Sequence, residues 1–92
     1  MSGPIKILYV TAEAAPLVKT GGLADVSHAL PLALRAQGHD CRVAMPLYGS
    51  IPERSWGEQA APCSAYIEGP VHGAVRRSTI PGTDVPLYFI EH

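Results

Sequence analysis

Lys19, Thr20, Gly21 and Gly22 stand together in a 92-residue chain, just before a stretch of apolar residues at helical spacing. That set of residue types suits an anion. Backbone N–H groups at the start of a helix, together with the positive end of its dipole, attract phosphate. Glycines let the backbone come close to a ligand, and a lysine at the rim adds a mobile cation that can reach a diphosphate oxygen. The spacing matches neither the dinucleotide fingerprint GxGxxG nor the phosphate loop GxxxxGK[ST]. Taken alone, a Gly-Gly pair before a helix is more often a tight turn than a binding site.

The elements around this string must position it. Ile5 to Thr11 (IKILYVT) is a near-continuous apolar run rich in β-branched and aromatic residues, the pattern of a strand covered on both faces. A loop over Ala12 to Thr20, broken by Pro16, leads into a helix marked by Leu23, Val26, Leu30, Ala33, Leu34 and Gln37. These residues are expected to form its buried stripe. Asp25 in the first turn and Arg35 in the last suit the helix dipole, and Gly38 suits the position just past the helix end. Pro31 cannot donate to the carbonyl of Ser27, so a bend or break is expected near Leu30. After His39 and Asp40, Cys41 to Met45 (CRVAM) reads as a second strand, completing a right-handed βαβ unit over residues 5–46. Ligands of open α/β sheets sit at the carboxyl ends of strands, which directs attention to the loop after Thr11.

Past Pro46, Leu47 to Gly57 reads as loop with room for one helical turn. Gln59 to Glu68, Val71 to Ile80 and Val85 to Glu91 read as strands, separated by turn signals at Gly69-Pro70 and Pro81-Gly82-Thr83-Asp84. The fold class is therefore α/β, a βαβ unit followed over residues 58–91 by a mostly antiparallel β meander. The last strand, VPLYFIE, is apolar enough to return to the parallel sheet. If the first strand keeps an unpaired side, that edge is sticky; self-association, a partner, or the meander would cover it.

A net charge of −1, from seven basic and eight acidic residues, gives no electrostatic footprint for nucleic acid or an anionic membrane. No apolar stretch approaches the ~18 residues of a membrane span. The start lacks the layout of a signal peptide, so a cytoplasmic protein is expected. Cys41 and Cys63, without a CxxC spacing, are expected as free thiols, and His28, His39, His72 and His92 show no ligand spacing, so no metal is expected.

The string Lys19-Thr20-Gly21-Gly22-Leu23-Ala24-Asp25-Val26 resembles the Lys-Thr-Gly-Gly-Leu signature of the bacterial-type glycogen (starch) synthases. Its flanks, "ILYVTAEAAPLVKTGGLADV", "ALPLAL" and "GHDCRVAMPLY", resemble them too. The likeness is strong from Ile5 to Tyr48 and looser through the meander. It implies a retaining glucosyltransferase that moves glucose from ADP-glucose to the non-reducing end of an α-1,4-glucan. It also implies two Rossmann-like domains facing across a cleft, the GT-B fold, with no cofactor. Residues 1–92 would be part of the N-terminal domain, and the chain would be too short to be the whole enzyme. By the same resemblance Lys19 reaches the donor phosphates, Gly22 allows close approach of the backbone, and Asp25 lies near the sugar-binding cleft. Thr20, Gly21 and Glu13 are weaker substrate-binding candidates. The family's Arg/Lys pair and paired glutamates belong to the missing C-terminal domain. One wall of a site gives few contacts that separate transition state from ground state, so the chain alone is expected to be inactive.

The remaining candidates have plain structural readings beside the functional ones. Glu13 is a sugar contact, a neutraliser of Lys19, or a solvated loop carboxylate. His28 is a packing or surface residue rather than a tuned base. Tyr48 and Trp56 offer faces to sugar rings, though Trp56 in ERSWGEQ is better placed to anchor its loop. Arg76-Arg77 reads as a solvated face. The alternative to an enzyme fragment is a non-catalytic module of the same fold that binds glucan or a partner.

Overall fold

The computed structural model describes residues 3–66 and 70–92. Strand β1 (Lys6–Val10) is followed by helix α1 (Gly22–Ala36), strand β2 (Asp40–Pro46), a 3-10 turn at Glu53–Ser55, and strands β3 (Glu58–Tyr66), β4 (Pro70–Thr79) and β5 (Pro86–Glu91). Each strand expected from the sequence is present to within a residue or two at its described ends. The expected end of the third, Ile67-Glu68, and Gly69 of the turn after it lie outside the described residues.

The five strands form one sheet in the order β1-β2-β5-β4-β3. β1 and β2 are parallel, and β5 lies parallel to β2. β5 is also antiparallel to β4, which is antiparallel to β3. The apolar last strand thus enters the middle of the sheet. The meander therefore joins on the β2 side, and the outer edge of β1 stays unpaired among the described residues, against the option that the meander would cover it. Burial accounts for the choice. Val43 and Met45 stand in register with Leu87 and Phe89, and all four point to one face and are sealed from solvent.

That face carries the core. Val43, Met45, Leu87 and Phe89 cluster with Ala14, Ile51, Ile80 and Val85. Leu17, Val18, Leu47 and Trp56 pack around them from the loops over 11–21 and 47–57. On the opposite face Leu8 is 63% and Val10 74% exposed, and the Arg42 guanidinium donates to the Tyr88 hydroxyl at 2.6 Å. Cys41 is buried and Cys63 half-buried, both as free thiols.

The helix corrects two expectations. Its buried residues are Ala24, Ser27 and Pro31, whereas Leu23, Val26 and Leu30 are exposed. Both stripes have helical spacing, so periodicity alone could not fix the phase. On the buried stripe Ser27 finds hydroxyl partners in Thr11 and Tyr9. The helix also runs unbroken through Pro31. The proline is buried, and packing on that face offsets a penalty of about 3 kcal/mol for a proline in a helix interior. The end of α1 behaves as read. Gly38 at φ +92° donates to the Arg35 carbonyl at 2.9 Å while His39 N–H reaches that of Leu34 at 3.2 Å, the paired bonds of a Schellman cap.

Candidate functional site

The loop over residues 11–21 leaves the carboxyl end of β1 and delivers the chain into the N-terminus of α1. It is tied down at nearly every step. Thr11 N–H donates to the Ala44 carbonyl of β2 at 3.0 Å, and Ala15 N–H to that of Ala24 in α1 at 3.0 Å. Tyr48 reaches across from the second loop, its hydroxyl donating to the Ala12 carbonyl at 2.8 Å. Beneath the loop Thr11 Oγ1 donates to the Glu13 carbonyl at 2.9 Å and shares a hydrogen bond of 2.9 Å with Ser27 Oγ. Ser27 is fully buried, and its Oγ also lies 3.4 Å from Tyr9 Oη. His28 Nδ1 lies 2.9 Å from the Ala15 carbonyl; a carbonyl only accepts, so Nδ1 carries the proton. His28 is thus a packing residue. Trp56 anchors its loop through Nε1 donating to the Ile51 carbonyl at 2.9 Å. Nothing in local periodicity marks Ser27, Thr11 or Tyr48 as supports of this loop, since each acts on a partner far along the chain.

Glu13 departs from its solvated reading. Only 9% of it is exposed, and its two carboxylate oxygens are both engaged by Thr20. The Thr20 hydroxyl donates to Oε2 at 2.5 Å and the Thr20 N–H to Oε1 at 3.4 Å. The Thr20 hydroxyl holds the Glu13 carboxyl below its ordinary range; N–H groups of Thr20, Ala24 and Gly21 act the same way, and burial opposes them. Nor does Glu13 neutralise Lys19. Lys19 Nζ lies 2.9 Å from Asp25 Oδ1, an ion pair that spans the Gly21-Gly22 turn with both side chains more than half exposed.

The two glycines sit at this exposed turn. Gly21 is the N-cap of α1 with an extended φ of −176° and no side-chain cap, and Gly22 begins the helix. A Cβ added at either would meet nothing within 4 Å. No packing and no left-handed backbone requires glycine at these positions, and the space beside the turn is open. Lys19, Thr20, Gly21, Gly22 and Asp25 are brought together; Glu13 is beside them but turned inward.

Arg76-Arg77 does not form a solvated pair. Arg77 is exposed and bonds Glu58 at 3.0 Å. Arg76 is half-buried, 3.1 Å from Glu91 and stacked 5.1 Å from the centroid of Trp56. Among the described residues no group of three His, Cys, Asp or Glu is placed to hold a metal, and no helix is long and apolar enough to cross a membrane.

The family model of the starch synthase catalytic domain matches residues 6–92. A glycogen synthase of Moorella thermoacetica is 44% identical over the whole of this chain, which spans 19% of that protein. Glycogen synthase 2 of Geobacter metallireducens is 46% identical over 96% of the chain, which spans 18% of it. The catalytic domain of starch synthase IV from Arabidopsis thaliana, solved with ADP and acarbose, superposes with a TM-score of 0.81 at 27% identity. That likeness covers 96% of this chain and 18% of the plant protein's. The chain therefore spans about a fifth of the length of the relatives it matches, and the likeness favours an enzyme's segment over a free-standing binding module.

Proposed function

The chain belongs to the starch synthase catalytic domain family, and from that membership we propose that it is the N-terminal part of a glycogen or starch synthase. The parent moves glucose from ADP-glucose to the non-reducing end of an α-1,4-glucan, in the cytoplasm and without a metal or cofactor. Residues 1–92 form part of an N-terminal GT-B domain, with a βαβ unit over 5–46 and a meander over 58–91. Lys19 leaves Asp25 to meet the donor diphosphate, where a fixed cation stabilises the leaving group as negative charge develops. Gly21 and Gly22 let the backbone approach the donor, and Thr20 holds the turn between them and Lys19. Asp25 lies at the sugar side of the turn. The C-terminal domain supplies the opposite wall, so the chain alone does not catalyse transfer. In isolation the unpaired edge of β1 takes up a second copy.

One observation carries this reading: a lysine beside two glycines that nothing inside the chain requires. Amide chemical-shift titration of the labelled chain tests it, with ADP-glucose and separately with a maltooligosaccharide. A second arm places these residues in the corresponding segment of the Moorella enzyme and assays glucosyl transfer. Shifts centred on Lys19 to Asp25 with ADP-glucose, and an active chimera, are expected. A flat donor titration together with an inactive chimera sinks the reading.

A further inference from the structure

We propose that Glu13 is a positioning residue of this site, a buried internal anion that holds Thr20 and so fixes Lys19 on one side and Gly21 on the other. The inference rests on the reading that the loop meets a sugar-nucleotide diphosphate, and it gives Glu13 a role other than touching that ligand.

Glu13 is clamped at two levels. Its backbone carbonyl accepts from Thr11 Oγ1 at 2.9 Å, and Thr11 is bonded to the buried Ser27 of α1. Its side chain spans the loop, and each carboxylate oxygen receives one donor of Thr20. Seven residues apart in sequence, the start and end of the loop are thereby fastened to each other and, through Ser27, to the helix. Thr20 is the residue between the lysine and the glycine pair, so its backbone sets where both stand.

The charge of Glu13 matters as well as its shape. A carboxylate beside the first turn of a helix is stabilised by the positive end of the dipole and takes up part of that field. With Glu13 seated there, the mobile cation of the turn is Lys19, and it is paired outward with Asp25 rather than inward with Glu13. A polar network held on all sides keeps a site in place before its ligand arrives. The cost of losing such support is large for its size, because a displacement of about 1 Å lowers rate by about a hundredfold.

The test compares Glu13→Gln, Thr20→Val and Thr20→Ser, each in the 92-residue chain and in the Moorella chimera. Glu13→Gln keeps the shape and removes the charge; Thr20→Val removes the hydroxyl donor; Thr20→Ser keeps it. In the chain, amide exchange at Thr20, Gly21 and Gly22 is expected to speed up in Glu13→Gln and Thr20→Val and to stay near wild type in Thr20→Ser, with the exchange of β2 and β5 unchanged. In the chimera, the first two are expected to lose up to about a hundredfold in kcat/KM for ADP-glucose, with the KM for glucan unchanged and the double variant no worse than either single one. Thr20→Ser restores activity. The proposal is overturned if Glu13→Gln leaves exchange at residues 20–22 unchanged, or if it raises the KM for glucan while Thr20→Val does not, since Glu13 would then contact sugar. Faster exchange at residues 20–22 alongside a wild-type chimera without transfer would uphold the positioning of the turn and overturn the functional reading instead.

Discussion

Lys19 Nζ lies 2.9 Å from Asp25 Oδ1, across the turn formed by Gly21 and Gly22. Both side chains are more than half exposed, and exposed ion pairs contribute at most about 1 kcal/mol. The pair is thus a resting place for the lysine rather than a support of the fold. Lys19→Ala should leave the melting temperature of the chain nearly unchanged, within about 0.5 kcal/mol of stability. In the Moorella chimera the same change should lower kcat by about 10²–10³-fold, the usual loss when one group stabilising developing charge is removed. Thermal unfolding and steady-state kinetics on the one variant check both halves. A large loss of stability would make Lys19 structural.

Two glycines separate ligand demand from fold demand. Gly57 has φ +71°, and a Cβ there would collide with the Arg77 carbonyl oxygen. Gly57→Ala should therefore destabilise by about 2–3 kcal/mol. Gly22 opens the helix with empty space beside it, so Gly22→Ala should fold as well as wild type or gain up to about 1 kcal/mol. The same methyl should weaken ADP-glucose binding at the turn. Denaturant unfolding of both variants and a donor titration of Gly22→Ala decide the matter.

Acid should loosen the turn in a defined range. The Glu13 carboxyl is held below 4.5 by the Thr20 hydroxyl. A group whose pKa is depressed in the folded chain adds stability above its unfolded pKa and loses it as pH falls through the folded value. The bonds to Thr20 should therefore hold through the ordinary carboxylate range and break only as pH falls below it. Asp40, lowered by its hydrogen bond to Arg42, adds acid sensitivity of the same sign. The Thr20 amide shift followed on acidification gives the midpoint, and a midpoint above 4.5 contradicts the bonding described here.

Among the described residues β1 presents an unpaired edge, with Leu8 and Val10 exposed beside it. Sedimentation of the isolated chain should show association that grows with concentration. Leu8→Lys, a charge of the kind that protects natural sheet edges, should suppress it. A chain that stays monomeric at high concentration would refute the pairing.

The strands and their order of appearance were legible because each has its own local signature. IKILYV and VPLYFIE are apolar runs, and the turns around Pro81 and Gly82 punctuate them. The end of α1 at Gly38 was legible for the same reason. The face of α1 was not, because Leu23, Val26 and Leu30 repeat with the same spacing as Ala24, Ser27 and Pro31. Only the partners of Ser27 on β1 and its loop choose between them. The Lys19 turn stood out by its likeness to the Lys-Thr-Gly-Gly-Leu signature rather than by composition, whereas the inward turn of Glu13 did not show. Its direction depends on a threonine seven residues on, and no residue type at position 13 announces whether a carboxylate faces in or out.

The position of β5 has a consequence for how the chain comes off a ribosome. Of the five strands described it is the last to be made, yet it lies between β2 and β4. Until residues 86–91 emerge, the parallel pair and the β3–β4 hairpin have no strand joining them, and each exposes an open flank. Assembly of the sheet is therefore a closing step and not a progressive one, and the nascent chain carries two unsealed flanks until residues 86–91 are made.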